Sequence, residues 1–292
     1  MRTIEQVTAM QAWGREVRGR DHARVALVPT MGALHAGHLS LVEIARHHAD
    51  RVVASVFVNP AQFDRTDDFE RYPRDLERDG ALLAAAGVDV LFAPPTVEMY
   101  PPDAQTFVTV EDLSQPLCGA HRPGHFRGVA TVVLKLLNIV QPNVAVFGEK
   151  DYQQLALIRR MARDLHLEVD IVGAPIVREV DGLAMSSRNR HLSAAERAAA
   201  ICLSRALGAA EQLMAGGERD AATIAAAAAS ELGRERLARP EYVAVVDPDT
   251  LQPLTTVFER ALLALAVWIG STRLIDNRVL AAPASGRERR SA

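Results

Sequence analysis

Cysteine, lysine and long apolar runs are all scarce in this sequence. The two cysteines, Cys118 and Cys202, lie far apart and show no metal-type spacing. That excludes a disulfide scaffold and makes a reducing compartment, the cytoplasm, the expectation. The longest apolar run, from about Ala261 to Ile269, is far too short to span a bilayer. Met1-Arg2-Thr3-Ile4-Glu5 lacks the apolar core of a signal peptide, so no membrane partner is expected. Positive charge is not in excess either. The formal net charge is −3, which gives no overall basic field to recruit nucleic acid, and none is expected as a partner.

The shortage of lysine gives its exceptions meaning. Lys135 and Lys150 are the only two, and the other long cationic side chains are arginines. Lys135 lies in a helical pattern, Thr131 to Asn138, where it snorkels from an apolar face. Lys150 stands in a turn after a strand. There a compact ammonium with rotatable donors meets phosphate oxygens in a way a planar guanidinium does not. What the chain has in plenty is apolar side chains, 49% over 292 residues, enough for one large domain or two modest ones.

Taken in order, residues 2–19 read as a helix and Arg24 to Pro29 as a buried strand. The stretch Pro29-Thr30-Met31-Gly32-Ala33-Leu34-His35-Ala36-Gly37-His38 then turns into a helix from about His38 to Ala49. Its glycines let the backbone come close to a ligand. His35 and His38, three apart, project toward one side. The helix start offers N–H groups and the positive end of a dipole, which suits phosphate. Arg51 to Val58 is a second buried strand, and strand–helix–strand at this spacing is a right-handed unit of a parallel sheet. Ligands bind beyond the carboxyl ends of such strands, where Asn59 and Gln62 fall. Pro60 fixes that turn, and the Gln62 amide offers a donor and an acceptor. An ordinary Asn-Pro turn is the plain alternative.

The segment 64–79 is strongly charged, with Asp67, Asp68, Glu70, Asp75, Glu77 and Asp79 among its carboxylates. Most of them read as solvated loop and helix faces; a role for one of them in holding a magnesium ion is the alternative, and the sequence does not say which. A helix to Ala86, a strand Val88 to Phe92 and a short strand Thr106 to Val110 follow. Cys118 to Gly128, rich in glycine and basic residues, fits a mobile anion-facing segment or a plain surface loop. A helix from about Val129 to Val140 and a strand Asn143 to Phe147 lead to Gly148-Glu149-Lys150-Asp151. Here Gly148 permits a sharp turn, and Asp151 either caps the next helix or accepts from ribose hydroxyls. That helix, Tyr152 to Leu165, carries Gln154 on its first turn. After a strand Leu167 to Val172, the loop Met185-Ser186-Ser187-Arg188 combines two hydroxyls with a fixed positive charge. Such a loop can close over a triphosphate. Ser193-Ala194-Ala195-Glu196 is a capping box opening a long helix to about Met214. Gly216-Gly217 ends it, and a helix Ala221 to Leu232 and strands 241–246, 261–269 and 273–280 complete a smaller α+β unit. The tail from Ala281 reads as disordered.

His-x-Gly-His is the ATP-gripping signature of class I nucleotidyltransferases and synthetases. The wider set resembles the pantothenate synthetase (pantoate–β-alanine ligase) family from about Val25 to Asn189. It comprises Pro-Thr-Met-Gly-Ala-Leu-His-x-Gly-His at 29–38, Val-Asn-Pro-x-Gln-Phe at 58–63 and His-Phe-x-Gly-Val at 125–129. Phe-Gly-Glu-Lys-Asp-Tyr-Gln-Gln at 147–154 and Asp-Gly-Leu-Ala-Met-Ser-Ser-Arg-Asn at 181–189 complete it. The C-terminal third matches more loosely.

The resemblance implies an α/β fold: a Rossmann-like parallel sheet bearing the His-x-Gly-His nucleotide site, plus a smaller C-terminal α+β domain. The expected domains are 1–176 for nucleotide and pantoate, 177–282 as a lid domain beginning with the Met-Ser-Ser-Arg loop, and a tail 283–292. It implies ligation of pantoate to β-alanine through pantoyl adenylate, with ATP as substrate, Mg2+ as its metal, and a homodimer. Carried over residue by residue, Met31, Gly32, Ala33, Leu34, His35, Ala36, Gly37 and His38 hold ATP, with His38 the proton donor. Gly148, Glu149, Lys150, Asp151, Val177, Met185, Ser186, Ser187 and Arg188 complete the nucleotide site. Gln62 and Gln154 bind pantoate, and Gln62 also β-alanine. His38, His35, Lys150 and Arg188 form the catalytic set, with the histidines, Lys150, Arg188 and magnesium supplying positive charge. Related synthetases carry a lysine in the closing loop where this chain has Arg188. Two other readings compete: an adenylyltransferase acting on a phosphorylated alcohol, and a non-catalytic nucleotide-binding or tRNA-associated module. The first would need a basic acceptor pocket, against which the amides at Gln62 and Gln154 argue.

Overall fold

A computed structural model describes residues 1–20, 22–64 and 69–282. The expectations for Asp67, Asp68 and the tail 283–292 lie outside the described residues. The chain divides into two compact units, Met1–Arg178 with Met185–Ser187, and Glu179–Ala184 with the residues from Arg188 onward.

The first unit is built on β1 (Arg2–Ile4), α1 (Val7–Arg20), β2 (Val25–Thr30), α2 (Ala36–His48), β3 (Arg51–Val56) and α3 (Leu76–Ala85). It continues with β4 (Val90–Phe92), α4 (His125–Val140), β5 (Val144–Gly148), α5 (Tyr152–Asp164) and β6 (Asp170–Ala174). The strands form one sheet of order β1-β4-β3-β2-β5-β6, and its pairs run parallel. The apolar runs Val25–Val28 and Val144–Phe147 are buried throughout, as strands covered on both faces must be. Beneath α2, its residues Leu41, Val42 and Ala45 meet Ala26, Val28 and Val146 of the sheet. Strand β2 has β3 on one side and β5 on the other. The order reverses there, which opens a crevice beyond the carboxyl ends of β2 and β5.

Several sequence expectations are corrected. Residues 2–4 form an edge strand on β4 rather than the start of a helix. The helix begins at Val7, whose N–H donates to the Glu98 carboxylate at 2.8 Å. Residues 106–110 form no strand. Val108 N–H donates instead to the Thr131 hydroxyl of α4 at 2.9 Å, and the Arg127 guanidinium lies 3.7 Å from the centroid of the Phe107 ring. Helix α4 starts at His125, earlier than its apolar period suggests, because His125, Phe126 and Gly128 are themselves packed inside. Neither loop reading of 118–128 therefore holds across its length. Lys135, half-buried, donates from its ammonium to Met99 O at 2.7 Å.

The second unit holds α6 (Ala194–Ala199), α7 (Cys202–Ala215), α8 (Ala221–Gly233), β7 (Ala238–Val246), β8 (Arg260–Ile269) and β9 (Thr272–Ala281). The strands make an antiparallel sheet β7-β8-β9. Leu203 and Leu207 of α7 and Ile224 and Leu232 of α8 pack with Leu263 and Leu265 of β8. The Ser193–Glu196 capping box forms with both reciprocal bonds. The expected long helix is interrupted at Ala200–Ile201, where Leu203 N–H reaches back three residues to Ala200 O. Tightening there keeps Ala200 and Leu203 both in the core. Among the described residues no helix is long and apolar enough to cross a membrane.

Candidate active site at the strand ends of the first unit

The turn after β2 is shaped by two successive residues in the left-handed region, Gly32 at φ 82° and Ala33 at φ 53°. Such a pair aims consecutive N–H groups into one concavity. That concavity faces the protein. Gly32 N–H donates to the Thr30 hydroxyl at 3.1 Å, and Ala33 and Leu34 N–H donate to the two oxygens of Asp79 at 2.7 and 2.9 Å. The amide hydrogens of 32–34 are thus engaged inside the protein. Next comes the start of α2, where His38 N–H donates to His35 O at 2.8 Å.

His35 is the N-cap residue of α2 and His38 its third residue. Their ring centroids are 4.1 Å apart. Gly37 leaves room for this pair, since a Cβ there would lie 3.0 Å from His35 ring atoms. His35 N–H points at His38 Nδ1 at 3.4 Å, so Nδ1 accepts and the neutral ring carries its hydrogen on Nε2. Burial, and next the neighbouring His35, push the His38 pKa down to about 3; Asp151 opposes the shift and Lys150 adds to it. His38 is therefore a neutral N–H donor at neutral pH, which corrects the reading that it adds a positive charge. Its electrostatic coupling to both Lys150 and Asp151 joins the end of β2 to the end of β5.

The second turn, after β3, is a 3-10 helix Pro60–Gln62 with Pro60 at its start. Asn59, buried, accepts from Ala61 N–H at 3.3 Å and donates to Gly128 O at 3.1 Å. Those partners fix which end of its amide is which. Its remaining hydrogen goes to Gln62 Oε1 at 3.0 Å. Gln62 is thereby oriented with Nε2 facing Met31 Sδ, 3.1 Å away, so that its N–H donors lie beside the turn after β2. From behind, His125 Nδ1 donates to Gln62 O at 2.8 Å, and Arg122 reaches the same carbonyl at 3.3 Å. Arg122 also approaches His125 Nε2 at 3.2 Å. Burial, then the Arg122 charge, press the His125 pKa down to about 4, so this ring too is neutral. Gly128 seals the contact, because a Cβ there would sit 2.1 Å from Ala61 O.

Beyond β5, Glu149, Lys150 and Asp151 form a single 3-10 turn. Gly148 has an ordinary φ of −76°, so the sharp-turn reason for a glycine does not apply. Asp151 occupies the N-cap position of α5 but its side chain makes no capping bond, which removes one of its two readings. Gln154 is half-buried on the first turn of α5. Its neighbour Gln153 is buried and holds Leu113 O and Pro116 O at 3.0 and 2.7 Å. Met185 N–H donates to Val177 O at 2.9 Å, and Met185 Cβ is 3.6 Å from where a Gly37 side chain would begin. The structure thus gathers Met31, His35, His38, Gln62, Lys150, Asp151, Val177 and Met185 at one end of the sheet. Ser186 and Ser187 belong to the same unit, while Arg188 is a residue of the second. There Asn189, just after it, donates to Glu179 Oε1 at 2.8 Å and Ala184 O at 3.1 Å.

Sequence reasoning missed the supporting roles of Asp79, Arg122 and His125. Asp79 is one of many charges in its segment, and nothing local marks it as buried. His125 and Gly128 fall in the 125–129 motif, and only the packing of α4 on the turn after β3 reveals what they hold. Among the described residues no three His, Cys, Asp or Glu side chains gather as a metal cage.

A model of the pantoate–β-alanine ligase family matches residues 2–279. A pantothenate synthetase of Heliobacterium modesticaldum is 57% identical over 280 residues, 96% of this chain and 99% of its own length. The crystal structure of pantothenate synthetase from Thermus thermophilus superposes with a TM-score of 0.90 at 50% identity, covering 95% of this chain and 99% of that one. A pantoate–β-alanine ligase from Francisella tularensis, crystallised with β-γ ATP and β-alanine, superposes with a TM-score of 0.77 at 33% identity, covering 96% and 97%.

Proposed function

The chain belongs to the pantoate–β-alanine ligase family, and from that premise we propose that it forms pantothenate from pantoate, β-alanine and ATP. Pantoate's carboxylate attacks the α-phosphorus and the bond to the β-phosphate breaks, giving pantoyl adenylate and pyrophosphate. The amine of β-alanine then attacks the acyl carbon, loses a proton, and AMP leaves. The observation that carries this reading is the family match over residues 2–279, with the His35–His38 helix start and the Lys150 turn following the neighbouring strands β2 and β5. Groups that follow adjacent parallel strands can position an anionic nucleophile against a triphosphate.

The roles follow from the chemistry of each group. His38, neutral and protonated on Nε2, donates a hydrogen bond to a phosphate oxygen on which charge develops. Lys150 supplies the fixed cation. Gln62, turned by Asn59 to present its N–H donors, receives pantoate without a cation that would blunt the carboxylate, and Gln154 assists from α5. The Met185–Ser187 segment closes over the nucleotide and keeps water from the adenylate, and Arg188, next in the chain, carries a further positive charge. Magnesium is proposed to enter as the ATP chelate, since it keeps phosphate and water oxygens as ligands. The active species is proposed as a cytoplasmic homodimer.

Two assays test the reading. Purified protein with all three substrates is expected to yield pantothenate, AMP and pyrophosphate in equal amounts. With β-alanine omitted, pantoate should still drive exchange of labelled pyrophosphate into ATP. Exchange supported only by a phosphorylated alcohol would favour the adenylyltransferase reading and overturn this one.

A further inference from the structure

Asp79 lies in the first turn of α3 and is 1% exposed. Its carboxylate bonds go not to the histidines or to Gln62 but to the nucleotide turn, which it grips at two consecutive amides, Ala33 at 2.7 Å and Leu34 at 2.9 Å. Arg78, beside it, donates to Leu34 O at 3.4 Å and stands 3.7 Å from Asp79 Oδ1. Three backbone atoms of one short turn are therefore held from a single helix. The fit is close on the other side as well. A Cβ on Gly32 would come within 2.9 Å of Asp79 Oδ2.

The turn needs such a hold. Ala33 at φ 53° is a non-glycine residue in a conformation that L side chains avoid, and a pair of successive left-handed residues persists only when the surroundings over-determine it. A carboxylate can accept from both amides at once, and hydrogen bonds to an ionised acceptor are about twice as strong as neutral ones. The N-terminal end of α3 adds a favourable dipole for a negative group. The turn leads straight into His35, Gly37 and His38, so its shape sets where those groups stand.

We propose that Asp79 is a positioning residue for ATP: from α3 it holds the 32–34 turn in its doubly left-handed form and so aligns the His-x-Gly-His helix start with the nucleotide. The proposal rests on the ATP-dependent reading above for its ligand. Among the described residues it separates Asp79 from Asp75, whose carboxylate caps α3 at Arg78 N–H.

The test compares wild type with Asp79→Asn and Asp79→Glu. Asparagine keeps the shape but meets one of the two N–H groups with an NH2, so one bond is lost and a donor faces a donor. Binding of a non-hydrolysable ATP analogue, measured by calorimetry, is expected to weaken about 10- to 100-fold in Asp79→Asn. KM for ATP should rise in step, with KM for β-alanine within about twofold, since the Asn59–Gln62 turn has other supports. Asp79→Glu, which retains both acceptor oxygens, should recover part of the affinity. Should Asp79→Asn not fold, Gly32→Ala, which presses on the same carboxylate from the turn, gives the same readout. Unchanged analogue binding in a folded variant overturns the proposal. So does an equal rise in every KM, which would mean general loosening. Because analogue binding needs no turnover, it stands apart from the pantothenate assay: a wild type that binds the analogue but makes no pantothenate would sink the functional reading and leave this one open to its own result.

Discussion

The two turns at the ends of β2 and β3 are held in opposite ways. The first points its amide hydrogens inward, onto the Thr30 hydroxyl and the Asp79 carboxylate. The second points a carbonyl inward, at Gln62 O, onto the His125 ring and the Arg122 guanidinium. Each buried backbone dipole has drawn a partner of the sign it requires, as buried polar groups must. The consequence differs for the ligand side. At the first turn the amide hydrogens are committed to the protein, and on the reading proposed above the nucleotide meets the helix start and its two imidazoles. At the second, Asn59 sets the polarity of a single side-chain amide, Gln62, which the same reading gives to pantoate.

The comparison can be broken most severely at Gly128. Gly128→Ala must displace the Ala61 backbone, 2.1 Å from the new Cβ, and is expected to cost about 3 kcal/mol or more of stability. A denaturant titration would register it; a midpoint like wild type would show that the turn can yield and is not fixed by α4.

At the first turn, His38→Ala should leave the fold intact and remove about 2–4 kcal/mol of transition-state stabilisation, a roughly 30- to 1000-fold fall in kcat. Wild-type turnover in single-turnover assays would remove His38 from the mechanism.

The neutral rings of both turns sharpen the contrast through pH. His38 and His125 have folded pKa values, about 3 and about 4, below their ordinary 6.5. In the window between, the unfolded chain binds more protons, so stability is full above about pH 6.5 and falls as pH drops toward 4. His125→Asn, which removes the second titration, should flatten part of that fall. Chemical denaturation at pH 7.5 and pH 5 checks it, and an equally steep loss in the variant would contradict the assignment. The smallest effect is expected at Gly148. With φ at −76° and its nearest foreign atom, Leu41 Cδ2, at 3.9 Å, Gly148→Ala should shift stability by no more than about 1 kcal/mol in either direction. A thermal melt that drops as far as for Gly128→Ala would deny the distinction between the two glycines.

Much of the site was legible because its residues are clustered locally. His35 and His38 sit on one helical turn, Gln62 follows a strand by a few residues, and Lys150 stands out in a chain otherwise short of lysine. The parallel sheet followed from apolar runs alternating with amphipathic ones. Three of the errors share a cause. Residues 2–4 became a strand because β4 offered an edge, residues 106–110 did not because α4 took their amide, and α4 began early because His125 had a carbonyl to hold. In each case a long-range partner outweighed local propensity.

By itself the sequence determined the alternation of buried strands and amphipathic helices around the parallel sheet and the motifs that mark the family, since those depend on periodicity and on spacings within a few residues. Only the tertiary structure decided that Asp79 is buried beneath the nucleotide turn, that His38 and His125 are neutral, and which way the Gln62 amide faces. Those properties belong to contacts between residues distant in the chain, and burial, hydrogen-bond polarity and electrostatic coupling exist only once the chain has brought them together.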